Sequence, residues 1–289
     1  MSQRARETIV VDGKALAQEI RTELAREIEA LVAAGHTPPQ LAVLLVGDDP
    51  ASASYIKGKR RACERAGIRS REDKLPASAR EADVLAVVDA LNRDPDVDGI
   101  LVQLPLPKAV RATAVAAAIN PDKDVDGLHP LNGGLLLAGT LGLVPCTPLG
   151  ILEILNRHRV HLEGARAVVI GRSDIVGKPV ALLLLQRNAT VTLCHSRTRD
   201  LAALVREADV VVAAVGSARL VKEDWIKPGA AVIDVGVNVI DAEIVGDVDF
   251  EAVLGRAGLL TPPRGGVGPM TISMLLKNTL LAYRRRRKL

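Results

Sequence analysis

The sequence predicts an α/β protein with two domains. Three observations carry that prediction: short apolar runs that do not alternate with polar residues, helix-period segments between them, and a Gly- and Pro-rich stretch that separates two such sets. Continuous apolar strands belong to a sheet covered on both faces, and strand–helix alternation implies that the sheet is parallel. In order, "ALAQEIRTELAREIEALVAA" (15–34) has helical period and precedes the first strand, "LAVLLVG" (41–47). The segment holding "YIKGK" (55–59) reads as helix, "ADVLAVVDALN" (82–92) is the next helix, and "GILVQLP" (99–105) the next strand. "PLNGGLLLAGTLGLVPCTPLG" (130–150) follows, with the boundary placed near its end, so that 1–150 forms one domain and 151–268 the other. "ILEILNRH" (151–158) is a joining helix. In the second set "ARAVVIG" (165–171), "ATVTLC" (189–194), "VVVAAVG" (210–216) and "AAVIDVG" (230–236) are strands, and "PVALLLLQRN" (179–188) is a helix. Residues 269–289, helical over about 269–287, are expected to return to the first domain and complete it.

A chain of 289 residues is long enough for two cores, and 48% hydrophobic with 25% charged residues is the balance of a globular protein in water. Lys and Arg outnumber Asp and Glu by 38 to 34, an excess largely due to "RRRRK" (284–288). A terminal basic run suits a helix C-terminus and is otherwise solvated, so it is not read as a nucleic-acid patch. Cys63, Cys146 and Cys194 are odd in number and far apart, which excludes a disulfide framework and points to a reducing cytoplasm. "MSQRARETIV" lacks a signal-peptide core and no run reaches transmembrane length. His158 and His161 have no carboxylate or thiol pattern to make a metal site. No nucleic-acid, membrane or metal partner is expected.

The second half suits a dinucleotide. "AVVIGRSDIVGKPVALLLLQ" is strand, glycine turn, helix, the context that a phosphate-binding turn needs. The turn runs from Gly171 through Arg172, Ser173, Asp174, Ile175 and Val176 to Gly177, with a serine at the usual second glycine and a longer gap to the last. A site for NAD places an acid at the end of the next strand to bind the ribose 2′-hydroxyl. Here that strand ends "TLCHSRT" (192–198), with His195, Ser196, Arg197 and Thr198 and no acid. Cations and hydroxyls at that position suit a 2′-phosphate, hence NADP in a Rossmann-like domain.

The first half holds the reactive candidates. Tyr55 and Lys59 are one helical turn apart and share a helix face. Gln103 lies near the C-terminal end of an apolar strand, where ligands gather in open parallel sheets. Asp126 stands in an Asp-Gly pair, which by itself is a common turn former. In order along the chain come "VGDDPASASYIKGKRRACERAGI" (46–68), "DGILVQLPLP" (98–107), "NPDKDVDGLHPLNGG" (120–134), "PCTPLGI" (145–151), "VIGRSDIVGKP" (169–179), "GGVGPMT" (265–271) and "LLKNT" (275–279). Over nearly its whole length the chain resembles the bifunctional methylenetetrahydrofolate dehydrogenase/methenyltetrahydrofolate cyclohydrolase family.

That resemblance implies NADP-dependent oxidation of 5,10-methylenetetrahydrofolate, hydrolysis of the methenyl product to 10-formyltetrahydrofolate, a homodimer, and a cleft between an N-terminal α/β catalytic domain and the NADP-binding domain. It implies that Tyr55 stacks on the folate, that Lys59 is the catalytic lysine with Gln103 in contact, and that Asp126 anchors the pterin. Gly265, Gly266, Val267 and Pro269 would help close the substrate site. Gly171, Arg172, Ser173, Ile175, Val176, Gly177, His195, Ser196, Arg197, Thr198 and Val237 would hold the cofactor. Leu135, Asp174 and Pro263-Arg264 depart from the family pattern, and Asp174 places an acid near the expected pyrophosphate. Two rivals differ in kind. A Tyr-x-x-x-Lys pair also marks short-chain dehydrogenases, but there it follows the cofactor turn, whereas here it precedes Gly171 by more than a hundred residues. The other rival is a folate- or nucleotide-binding protein that has lost catalysis, and the presence of Tyr55, Lys59, Gln103 and Asp126 speaks against it.

Overall fold

The computed structural model describes residues 7–47, 50–140 and 142–289, with 50–56 described by their backbone alone. Along the chain come β1 (Ile9–Val10), α1 (Gly13–Ala33), β2 (Gln40–Val46), α2 (Pro50–Ala66), β3 (Arg69–Leu75), α3 (Glu81–Arg93), β4 (Gly99–Val102), α4 (Ala112–Ala118), α5 (Pro130–Leu137) and α6 (Cys146–Arg157). The second half adds β5 (Arg166–Ile170), α7 (Gly177–Leu185), β6 (Thr190–Cys194), α8 (Leu201–Arg206), β7 (Val210–Ala213) and β8 (Ala231–Asp234). It closes with β9 (Asn238–Ile240), β10 (Glu243–Val245), α9 (Phe250–Val253), β11 (Leu259–Leu260) and α10 (Val267–Arg287).

Two compact units result, one of residues up to Ala17 with Thr147–Thr271, the other of Gln18–Cys146 with Ile272–Leu289. In the second of these β2 is the centre of a parallel sheet ordered β3-β2-β4. Leu41 to Val46 and all of β4 are buried, as continuous apolar runs require. Val84, Val88 and Leu91 of α3 and Val115 of α4 pack with Ala42, Leu44, Ile100 and Val102, one face of that sheet. β3 is charged and half-exposed throughout, "RSREDKL", and is held by its ladder to β2 rather than by apolar burial. The end of the chain is fastened by Tyr283, which donates its hydroxyl to Thr37 O (2.7 Å). Part of the basic run is used as well, because Arg286 donates to the buried Asp98 carboxylate at 3.0 Å.

The other unit is built on a six-stranded parallel sheet ordered β1-β11-β8-β7-β5-β6. Strand β5 has β6 on one side and β7 on the other, so the chain reverses direction across the sheet there, the switch point at which open α/β sheets bind ligands. β1 pairs in parallel with β11, Ile9 beside Leu259, so the start of the chain goes with this sheet and not with the residues that follow it. The expected first domain of 1–150 completed by 269–289 differs from that arrangement chiefly at its start, because residues up to Ala17 go with the other unit. A second difference is α5, a helix inside the Gly- and Pro-rich stretch. It begins with Pro130, whose missing N–H costs nothing at a first helical position, and His129 Nδ1 accepts the Leu131 N–H at 3.0 Å.

The loop that carries Asp126 is anchored by Lys123, which is 2% exposed. Its ammonium donates to Leu91 O (3.0 Å), Asn92 O (2.8 Å) and Asp94 O (2.7 Å), the carbonyls left over at the end of α3. Burial pulls its pKa down to about 8. Lys123→Met keeps the apolar stem and removes the three donors. We expect it to destabilise the protein by about 1–3 kcal/mol, read as a lower urea midpoint with the slope unchanged; an unchanged midpoint would refute the anchoring.

Candidate active site

Lys59 sits in the third turn of α2 and is 7% exposed. Its amine donates to Gln103 Oε1 at 2.9 Å. Gln103 is one residue past β4, continues the ladder by donating its N–H to Leu44 O (2.9 Å), and fixes its amide by donating Nε2 to Leu104 O (2.6 Å). The sheet edge thus orients the glutamine, and the glutamine orients the lysine. Burial lowers the Lys59 pKa, while Asp126, Cys146 and Cys63 pull it back up. Tyr55 lies one turn earlier on α2, and its side chain is outside the described residues.

Asp126 is half-buried, and burial raises its pKa; Lys59 lowers it, Asp124 raises it further, and a hydrogen bond from Cys146 lowers it. Lys59, Gln103, Asp126 and Cys146 are therefore one cluster. Cys146 is an inert thiol here: it is buried, points at Val125 O (3.3 Å), and burial and Asp126 push its pKa well up. Cys63, pushed up to about 12 by burial, is the same kind of group.

The backbone around Asp126 is held from both sides. Asn278, a buried amide inside α10, donates Nδ2 to Val125 O and Val144 O, each at 2.9 Å. Gly127 has φ +71 and no space for a side chain, since a Cβ there would stand 2.4 Å from Pro145 N. The Asp124 carboxylate accepts the His129 N–H (2.8 Å) and Asn132 Nδ2 (2.9 Å). Asn278 was not singled out from the sequence, although a lone amide amid "MLLKNTLL" is a signal, because a buried polar side chain needs partners.

The glycine turn lies at the switch point. Gly171 has φ +118, and a Cβ there would stand 2.1 Å from Ala214 O; a Cβ on Gly177 would stand 2.0 Å from Gly171 O. Neither position admits a side chain, so backbone meets backbone closely on both sides of the turn. Ser173 Oγ accepts the N–H of Val176 (3.2 Å) and Gly177 (3.3 Å) and so caps α7 in place of a glycine. Asp174 is paired with Lys178 one turn on, which offsets its charge at this end of the helix. Arg172 and Ile175 are exposed. After β6, His195 and Thr198 close a turn on each other, with the His195 N–H donated to Thr198 Oγ1 (2.9 Å) and the Thr198 N–H to His195 O (2.8 Å). Ser196 and Arg197 are exposed on that turn, and Val237 is exposed beyond β8. Gly265 and Gly266 lead into α10, Gly265 with φ +79, while Val267 is buried and Pro269 half-buried. Leu135 is half-buried in α5, and nothing in its surroundings accounts for its departure from the family pattern. Among the described residues no group of three or more His, Cys, Asp or Glu could hold a metal, and no helix is long and apolar enough to cross a membrane.

Comparison with known proteins agrees with this geometry. Residues 11–126 match the tetrahydrofolate dehydrogenase/cyclohydrolase catalytic domain, and residues 145–287 match the NAD(P)-binding domain of the same family. The bifunctional protein FolD of Sorangium cellulosum is 56% identical over 275 residues, which cover 94% of this chain and 96% of that protein. The crystal structure of the bifunctional FolD dehydrogenase/cyclohydrolase from Campylobacter jejuni superposes with a TM-score of 0.94 at 45% identity, covering 96% of this chain and 99% of the other. The Trypanosoma brucei enzyme, solved with NADP and an inhibitor, superposes with a TM-score of 0.93 at 40% identity, covering 98% and 99%. The chain belongs to the tetrahydrofolate dehydrogenase/cyclohydrolase family.

Proposed function

We propose that the chain oxidises 5,10-methylenetetrahydrofolate with NADP and hydrolyses the resulting methenyl cation to 10-formyltetrahydrofolate, the second step at Lys59. The single observation that carries this reading is a lysine buried against an uncharged amide, Gln103, in a family whose reaction includes a hydrolysis. NADP, when bound, supplies the nicotinamide carbon that accepts hydride. The Gly171–Gly177 cradle and the Ser196–Arg197 turn are suited to its pyrophosphate and its 2′-phosphate. Hydride loss from the methylene carbon leaves the methenyl cation. Water then adds to that carbon and gives up a proton, and one C–N bond opens to leave the formyl group.

Lys59 takes that proton. A free lysine, with a pKa near 10.4, is protonated at neutral pH and cannot act as a base. Burial favours the neutral amine, and the positive charge of the methenyl substrate favours it further. The amide of Gln103 orients the amine without adding the negative charge that would restore the ammonium. Asp126 is assigned to the pterin, whose adjacent ring N–H and amino group match the two oxygens of one carboxylate. Tyr55 is assigned to stacking against the folate, and Gly265, Gly266, Val267 and Pro269 to closing the substrate site. A homodimer in the cytoplasm completes the proposal. The exposed Val239 and Ile240 of the β9–β10 hairpin support a self-association surface, and three separate buried thiols support a reducing compartment.

Lys59→Met is expected to abolish hydrolysis of methenyltetrahydrofolate and to lower the dehydrogenase rate less, since hydride transfer releases no proton for Lys59 to take. Wild-type hydrolysis in the variant, followed by loss of methenyl absorbance, would remove Lys59 from the mechanism. Gln103→Glu places a carboxylate on the amine and raises its pKa. The base must be neutral, so the rising limb of the hydrolysis pH profile should move to higher pH by about one unit or more; an unmoved or acid-shifted limb contradicts the role. Arg197→Ala should raise the KM for NADP roughly ten- to a hundredfold, the worth of a charge-assisted hydrogen bond, and leave the KM for NAD nearly unchanged. Equal losses with both cofactors would exclude a 2′-phosphate contact.

A further inference from the structure

We infer that Asp247 is a positioning residue for the nucleotide: its buried carboxylate shapes the loops after β7 and β8 that border the dinucleotide site. The inference rests on the NADP reading of the glycine turn. Asp247 is 0% exposed. Its Oδ2 accepts the N–H of Val215 (2.7 Å) and Gly216 (2.9 Å), and its Oδ1 accepts the N–H of Ser217 (2.8 Å) and Asn238 Nδ2 (3.0 Å). Three successive backbone N–H groups that converge on one point form a nest for an anion, and here the protein's own carboxylate fills it. One carboxylate therefore fixes the path of residues 215–217 after β7 and ties Asn238, after β8, to the same point.

That path bears directly on the cofactor turn. Ala214 O stands 2.1 Å from where a Cβ of Gly171 would be, so the loop and the turn are in contact and one cannot shift without the other. Asp247 is itself held. Asp234 Oδ1 accepts the N–H of Gly236 and of Asp247, and Oδ2 accepts that of Val248, each at 2.9 Å. Gly236 and Gly246 leave no space for adjustment, because a Cβ on Gly236 would stand 2.3 Å from the Asp247 carboxyl carbon, and one on Gly246 would stand 1.7 Å from Asp234 Oδ2. A neutral amide at 247 would turn an N–H₂ group toward donors and could not close the nest.

The test is Asp247→Asn in the full chain, with NADP titrated by calorimetry and both activities assayed. Methenyl hydrolysis consumes no nucleotide and reports on the folate site alone. The expected result is a Kd and KM for NADP raised about ten- to a hundredfold, with the folate KM and the hydrolysis rate close to wild type. Unchanged NADP affinity in the folded variant would overturn the inference, and so would an equal fall in hydrolysis, which would mark a general loss of structure. If the variant does not fold, Asn238→Ala removes one of the four bonds and should weaken NADP several-fold in the same selective way; no change there also overturns it. Failure of the wild-type protein to bind NADP would instead refute the cofactor reading itself.

Discussion

An amine held largely out of water is the constraint around which the folate unit is arranged. Lys59 is buried, its direct partner is a neutral amide, and the carboxylates near it are themselves raised by burial. Such a group depends on fixed surroundings, because a relaxation that admitted water would remove the burial that lowers its pKa. The fixing is visible in three places. Gln103 is set by the ladder to β2, the Asp126 loop is tied to the end of α3 by Lys123, and Asn278 holds both strands of backbone on either side of Gly127.

The nucleotide unit solves a different problem with different means. A pyrophosphate must approach backbone N–H groups closely, so side chains are excluded rather than placed. Gly171 and Gly177 are obligatory because the atoms that a Cβ would meet are backbone oxygens, which cannot rotate away. Ser173 stands at the usual middle glycine, and its hydroxyl accepts the N–H of Val176 and Gly177 at the start of α7. Asp174 follows the same logic. An acid at a helix start would compete with a bound anion, and its pairing with Lys178 leaves the helix end closer to neutral.

Strands whose burial is two-sided were legible in the sequence, because their apolar runs are unbroken: β2, β4, β5, β7 and β8 stand within a residue or two of the N-terminal ends of their runs. β3 was not legible. Its seven residues include five charges and one apolar side chain, and only the ladder to β2 makes it a strand. The two-residue strands β1 and β11 have no period to read, and their partners are some 250 residues apart in sequence. For the site, Lys59, Gln103 and Asp126 could be named from motifs, and the structure brings all three together. The residues that hold the Asp126 loop were harder to read, since Lys123 and Asn278 act on backbone atoms distant in sequence, and only the lone amide of Asn278 in an apolar run gives a signal.

Each unit holds a buried group whose charged form burial disfavours. Burial pushes Asp234 up to about 6, so its protonated form is favoured by the fold. Its contribution to stability is therefore present at low pH and is lost as pH rises from about 4 through 6. At neutral pH its ionised oxygens accept three backbone N–H groups that set the loops beside the cofactor turn. Lys59 has the mirror-image linkage: its pKa is depressed, so stability rises only as pH passes above the folded pKa toward the ordinary lysine value. The stability given up at Asp234 and Lys59 is offset within each unit by wholly apolar strands, β7 and β4, which are buried from end to end.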